Sequence, residues 1–125
     1  ESCSGHSNPP SAAPAIDFLE DGSSVIRPEL ATAYFYADCD PGAAARAVAH
    51  LRPQAPGHGR APATAATWRD TPTRYVVCAA DRALHPDIQR RLAQRCDSGV
   101  EIDASHSPFL SQPERIAAEL ARVGA

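Results

Sequence analysis

Methionine and lysine are both absent from this 125-residue chain. Without Met, Glu1 is not expected to be a translation start, so the chain reads as processed, truncated or incompletely represented. Without Lys, all twelve basic residues are Arg, and mechanisms that need a Schiff base or a titrating amine fall away. Cysteine is sparse: Cys3, Cys39, Cys78 and Cys96 form no Cys-x-x-Cys pair, so zinc and thiol-redox motifs have no support. A disulfide framework would need a smaller, denser secreted chain, so reduced thiols in the cytoplasm are expected. No apolar stretch approaches the roughly 20 residues that span a bilayer, and the N-terminus lacks a signal-peptide pattern. With 15 acids against 12 bases, a net charge of −3 and no basic run, nucleic-acid binding is not expected either.

What is present suits one globular domain: 43% apolar and 22% charged residues. Residues 1–27 read as loop or a broken N-terminal end, rich in Ser, Pro, Ala and Gly at first. Ile16, Phe18, Leu19, Val25 and Ile26 could form short extended pieces around an Asp21–Gly22–Ser23 turn. Residues 28–67 read as helical. Pro28 suits a first helical position, with Leu30, Tyr34 and Ala37 or Asp38 at helical spacing. Asp40 as N-cap and Pro41 at N1 open a second helix, with Ala44, Ala47, Val48 and Leu51 on one side and Pro53 as its stop. A loop from Gln54 to Thr67 follows.

Residues 68–125 change character. Arg74–Ala80 is a nearly continuous apolar run, the pattern of a strand buried on both faces of a parallel sheet. Pro86 opens a helix carrying Ile88, Leu92, Ala93 and Cys96, with Gly99 as its end. Val100–Ile102 is a second strand. Ser111 and Glu114 form a capping box for a last helix with Ile116, Ala117, Leu120 and Val123 as its buried stripe. This is an α/β pattern, a terminal βαβα unit of a parallel sheet, and two strands alone leave an edge uncovered.

Asp81 follows the first of these strands and His106 lies in the loop after the second. Loops at the carboxyl ends of parallel strands open on the edge where α/β folds place their sites. A carboxylate there can fix the tautomer of an imidazole and stabilise the imidazolium. Taken singly, each has a plainer reading: Asp81 as a helix N-cap, His106 as a bystander. His6, His50, His58 and Asp103 read as solvated or structural. Cys78, placed mid-strand, is a poor thiol nucleophile.

The segments Tyr75–Arg82 with Pro86, Gln89 and Arg90, and Val100–Pro108, resemble the end of the α/β-hydrolase fold. The subgroup is that of plant methylesterases, hydroxynitrile lyases and bacterial esterases. Tyr36–Pro41 and Leu51–Gln54 look like that family's helical cap, so the likeness runs from about Pro28 to Val123. It implies a partial α/β-hydrolase fold, a helical cap segment followed by the terminal βαβα unit, with Asp81 as triad acid and His106 as triad histidine. Ser107 stands where the lyases have a cyanide-holding lysine, so ester hydrolysis is the implied activity, without metal or organic cofactor. Phe35, Tyr36, Leu51 and Trp68 would line an apolar pocket for a small hydrophobic ester, or simply pack the cap to the core.

The family's Gly-x-Ser-x-Gly elbow has no counterpart. Gly5-His6-Ser7 is followed by Asn8-Pro9-Pro10, with no strand before it to present Ser7. The nucleophile and oxyanion hole are therefore expected outside this chain, in an N-terminal half of the fold that would be its partner. The chain alone is expected to be inactive. Oligomeric state is left open, a homodimer among the options. The alternative is a truncated or degenerate hydrolase fragment that acts only by binding a partner, for which its open sheet edge could serve.

Overall fold

The computed structural model describes residues 10–57 and 64–123. The expected turn at Asp21–Gly22–Ser23 forms. β1 (Ile16–Phe18) and β2 (Ser24–Ile26) pair antiparallel, Ile16 opposite Ile26. Gly22 takes φ 81°, which glycine tolerates without a Cβ clash. Asp21 Oδ1 accepts from the backbone N–H (2.9 Å) and hydroxyl (2.6 Å) of Ser23. These bonds hold the Asp21 carboxyl below its ordinary pKa, the hydroxyl contributing most. Ser24 also exchanges two backbone bonds with Gln54, so the loop after the helices returns to this hairpin.

Pro28 and Pro41 each sit in the first turn of a helix, where the missing N–H costs nothing: α1 spans Pro28–Phe35 and α2 Pro41–Ala49. Asp40 caps α2 as expected, Oδ1 accepting from Ala43 N at 3.0 Å. α2 stops at Ala49 rather than at Pro53. His50 ends it, and Leu51 lies beyond the helix.

β3 (Arg74–Cys78) and β4 (Ser98–Ile102) pair parallel in the register Arg74–Ser98 to Cys78–Ile102. α3 (Pro86–Ala93) joins them and buries Ile88. Gly99 does not end α3. It lies within β4, where a Cβ would stand 3.3 Å from the Tyr75 carbonyl oxygen, tight against backbone. Cys78 is the last residue of β3 and buried, not mid-strand.

The last helix is broken in two, α4 (Pro108–Ser111) and α5 (Pro113–Leu120). Pro113 disfavours the helical region for the residue before it, and Gln112 accordingly takes φ −138°, ψ 56°. The expected capping box is therefore absent. Gln112, not Ser111, is the N-cap of α5 and makes no side-chain cap bond. The expected apolar stripe is not buried either: Leu120 is 67% and Val123 44% exposed, whereas Glu119 is 3% exposed. Glu119 Oε2 accepts from Arg74 Nε at 2.8 Å and Oε1 from Arg122 at 3.1 Å, which fastens α5 to β3. Among the described residues no helix is long and apolar enough to cross a membrane.

Candidate active site

Asp81 follows β3 after a two-residue turn and is 4% exposed. Its Oδ1 accepts from the backbone N–H groups of Ala83 (2.7 Å) and Leu84 (3.0 Å), so Asp81 closes a turn before α3 and is not a helix N-cap; His85 caps α3, its side chain accepting from Asp87 N. That turn is held in place by the N-terminal segment, where Ala12 N donates to the Ala83 carbonyl at 3.0 Å. Oδ2 accepts from Gln89 Nε2 at 2.8 Å and meets His106 Nδ1 at 2.9 Å. Gln89, buried on α3, also donates to the Leu84 carbonyl (2.9 Å) and accepts from Cys78 N (3.0 Å). It ties together the end of β3, the Asp81 loop and the carboxylate.

His106 comes from the loop between β4 and α4. Its side chain is 38% exposed, against 4% for Asp81. With Asp81 accepting at Nδ1, the tautomer that fits carries its proton there and leaves the Nε2 lone pair free. Nε2 has no hydrogen-bond partner among the described residues. Phe35, at the end of α1, sets its ring edge-on to the imidazole, centroids 5.3 Å apart at 77°. An oriented imidazole with one open nitrogen can accept a proton from a nucleophile and return it to a leaving group.

The loop is also gripped from the other side by a residue that sequence reasoning treated only as a position on a helix. Asp38 Oδ2 accepts from Ser105 N (2.9 Å) and Ser111 Oγ (2.9 Å), and Oδ1 accepts from Ser105 Oγ. Partial burial pushes the Asp38 carboxyl up, but these bonds outweigh it and hold the group below its ordinary value. Gln89 was visible only as part of the resemblance. The partners of Asp38 lie 67 and 73 residues away, where local pattern carries no signal. Those of Gln89 lie 5 to 11 residues away but across the turn from β3 into α3, which no helical or strand period marks.

Tyr36 packs against Phe35, centroids 6.3 Å apart, one residue removed from the imidazole. Trp68 lies under the guanidinium groups of Arg69 (5.3 Å) and Arg95 (4.9 Å), a cation–π arrangement. Leu51 is half-buried. Ser107 is buried. His50 Nδ1 contacts the Arg46 carbonyl at 2.7 Å on the surface, and Asp103 is exposed. His6, Ser7 and His58 lie outside the described residues, as does Cys3. Burial pushes the Cys78 thiol up to about 11, with Asp81 and Asp38 adding to the shift, so it is not a thiolate nucleophile near neutral pH. Among the described residues no cluster of His, Cys, Asp and Glu could hold a metal.

An alpha/beta hydrolase of Aspergillus novofumigatus is 29% identical to this chain over 120 residues, 93% of this chain and 48% of that protein. A crystal structure of polyneuridine aldehyde esterase superposes with a TM-score of 0.68 at 20% identity, over 79% of this chain and 42% of that one. A methylesterase from Arabidopsis gives 0.68 at 23%, over 81% and 45%. A pyrethroid hydrolase gives 0.66 at 22%, over 88% and 46%. The structural likenesses carry the fold, and the chain spans a little under half the length of each of these relatives. The βαβα unit and the helices before it are thus part of a larger α/β-hydrolase fold. Residues 3–119 match the model of the alpha/beta hydrolase family, and the chain belongs to that family.

Proposed function

We propose that this chain supplies the acid and the histidine of a serine-dependent carboxylic ester hydrolase, with the nucleophilic serine and oxyanion hole outside residues 1–125. The observation that carries the reading is the 2.9 Å contact of His106 Nδ1 with the buried Asp81 carboxylate, beside an open Nε2. In the complete enzyme His106 Nε2 takes the hydroxyl proton as the serine oxygen attacks the ester carbonyl. Asp81 stabilises the imidazolium, which then protonates the departing alkoxide. Water, deprotonated by the same imidazole, cleaves the acyl-enzyme and frees the serine.

Three of the similar structures are named as an esterase, a methylesterase and a pyrethroid hydrolase, which favours esters with an apolar part. In this reading residues 28–67 form a cap, and Phe35 is one apolar wall beside the imidazole. Residues 68–125 close the core. The thiols of Cys39, Cys78 and Cys96 are free, which fits a reducing compartment such as the cytoplasm.

A fluorophosphonate, whose phosphorus is attacked by an activated serine oxygen with loss of fluoride, tests the reading, with intact-mass detection. Label on a species heavier than 13.2 kDa, or on a second chain, is expected. An unlabelled 13.2 kDa species as the only component would defeat the reading in favour of a fragment that only binds a partner. Label on the 13.2 kDa chain itself would put the nucleophile inside it.

A further inference from the structure

We propose that Asp38 is a positioning residue for His106, fastening the imidazole loop to the turn after α1; this rests on reading Asp81 and His106 as an acid–base pair. The contacts cross 67 residues to Ser105 and 73 to Ser111, so they are tertiary, not local turn bonds. Ser105 immediately precedes His106, is 1% exposed, and gives both its N–H and its hydroxyl to Asp38. On the other side of the loop Ala80 N donates to the Ala104 carbonyl at 3.0 Å. The backbone entering His106 is therefore held between the end of β3 and Asp38.

The same turn reaches the ring. Phe35 ends α1 three residues before Asp38, and it packs edge-on to the imidazole that Asp81 holds from below. Asp38 is hydrogen-bonded not to the imidazole but to the N–H and hydroxyl of Ser105 and to Ser111 at the end of α4, and its effect runs through them. A base must sit within a few tenths of an ångström of its productive place, and residues whose own contacts are locked supply that precision. Ser111 adds the third bond from the last residue of α4, so the loop is gripped at both ends. The turn between α1 and α2 thus sets the backbone and one face of the ring together.

The test is the exchange rate of the His106 Nδ1–H with water, read by NMR on the histidine-labelled 125-residue chain below its thermal transition. Asp38→Asn and the double variant Ser105→Ala, Ser111→Ala should each speed exchange about tenfold with unchanged circular dichroism. The double variant keeps the Asp38 charge and removes most of its grip. Asp103→Asn, which deletes a neighbouring exposed charge, should stay at the parent rate. A parent rate in the double serine variant would overturn the proposal, because the effect of Asp38 would then be its charge. A rate that rises only together with loss of the dichroism signal would overturn it as well. Asp81→Asn must abolish the resonance; if the resonance persists, the acid–base pairing is wrong and the clamp on the loop is judged by the other variants alone. A parent without the resonance overturns both.

Discussion

Four hydrogen bonds converge on the two oxygens of Asp81, and only one of them is to the imidazole. The other three fix the carboxylate before the imidazole uses it. Replacing Asp81 with Asn turns one acceptor into a donor facing Gln89 or His106, and favours the wrong imidazole tautomer. In the complete enzyme kcat on an ester should fall about 10⁴-fold, the loss known for this change in a serine-protease triad. A fall of less than about tenfold in steady-state kinetics would remove Asp81 from the mechanism. Gln89→Leu strips a donor from Asp81 and an acceptor from Cys78 N in a buried place. Unfolding in urea should show a loss of roughly 1–3 kcal/mol, the cost of leaving such groups unpaired. A variant as stable as the parent would mean that the Gln89 bonds add nothing. Cys78, pushed up to about 11 by burial, should resist iodoacetamide at pH 8 in the folded chain, as mass spectrometry would show.

At the level of elements, β3 is legible as an apolar, β-branched run, which also places Asp81 and His106 at strand ends. The expected burial on both faces holds only for Val77 and Cys78, while Arg74, Tyr75 and Val76 are half-buried. α5 is not legible in this way. Its apolar stripe, read as a core face, is exposed, because a stripe states that a helix face is apolar and not what covers it. What seats α5 on this sheet is the bond of Glu119 to Arg74, 45 residues away, which no local pattern reveals; Arg115 and Arg122 are its helical-spacing neighbours. Asp38 escaped notice for the same physical reason, its partners lying 67 and 73 residues away. The hydrogen bond from Arg74, with the charges of Arg122 and Arg74, holds the Glu119 carboxyl below its usual 4.5. A carboxyl depressed in the folded state stabilises above its unfolded value, and that contribution is lost as pH falls through the folded value. Stability measured in urea should therefore drop as pH falls below about 4.5, and Glu119→Gln should flatten part of that slope. An unchanged slope in Glu119→Gln would show that the arginines do not stabilise the folded state through this carboxylate.

The whole molecule has a thin core. Among the described residues five of the nine buried apolar residues are Ala, while Phe18, Leu19, Phe109, Leu110, Leu120 and Val123 keep large apolar areas exposed. β3 and β4 form a two-stranded sheet, and sheets of that size are marginal without further strands or covering layers. The matched segments make up only 42–46% of the similar structures, so those chains have further length to supply such layers. Each exposed aromatic or aliphatic group returned to an apolar environment would regain about 25 cal/mol per Å². The isolated 125-residue chain should accordingly bind a hydrophobic dye and melt broadly, below the roughly 45 °C at which ordinary mesophilic domains begin to unfold. Adding the polypeptide that completes the fold should sharpen and raise the transition and displace the dye, because a partner that binds only the folded form shifts the equilibrium by mass action. A homodimer would cover the same residues and would register as a doubled mass in sedimentation, with a transition that rises with concentration. If the lone chain instead melts cooperatively above that temperature as a monomer without binding dye, the exposed residues leave it complete enough to stand alone, and no missing half of the fold is needed for its stability.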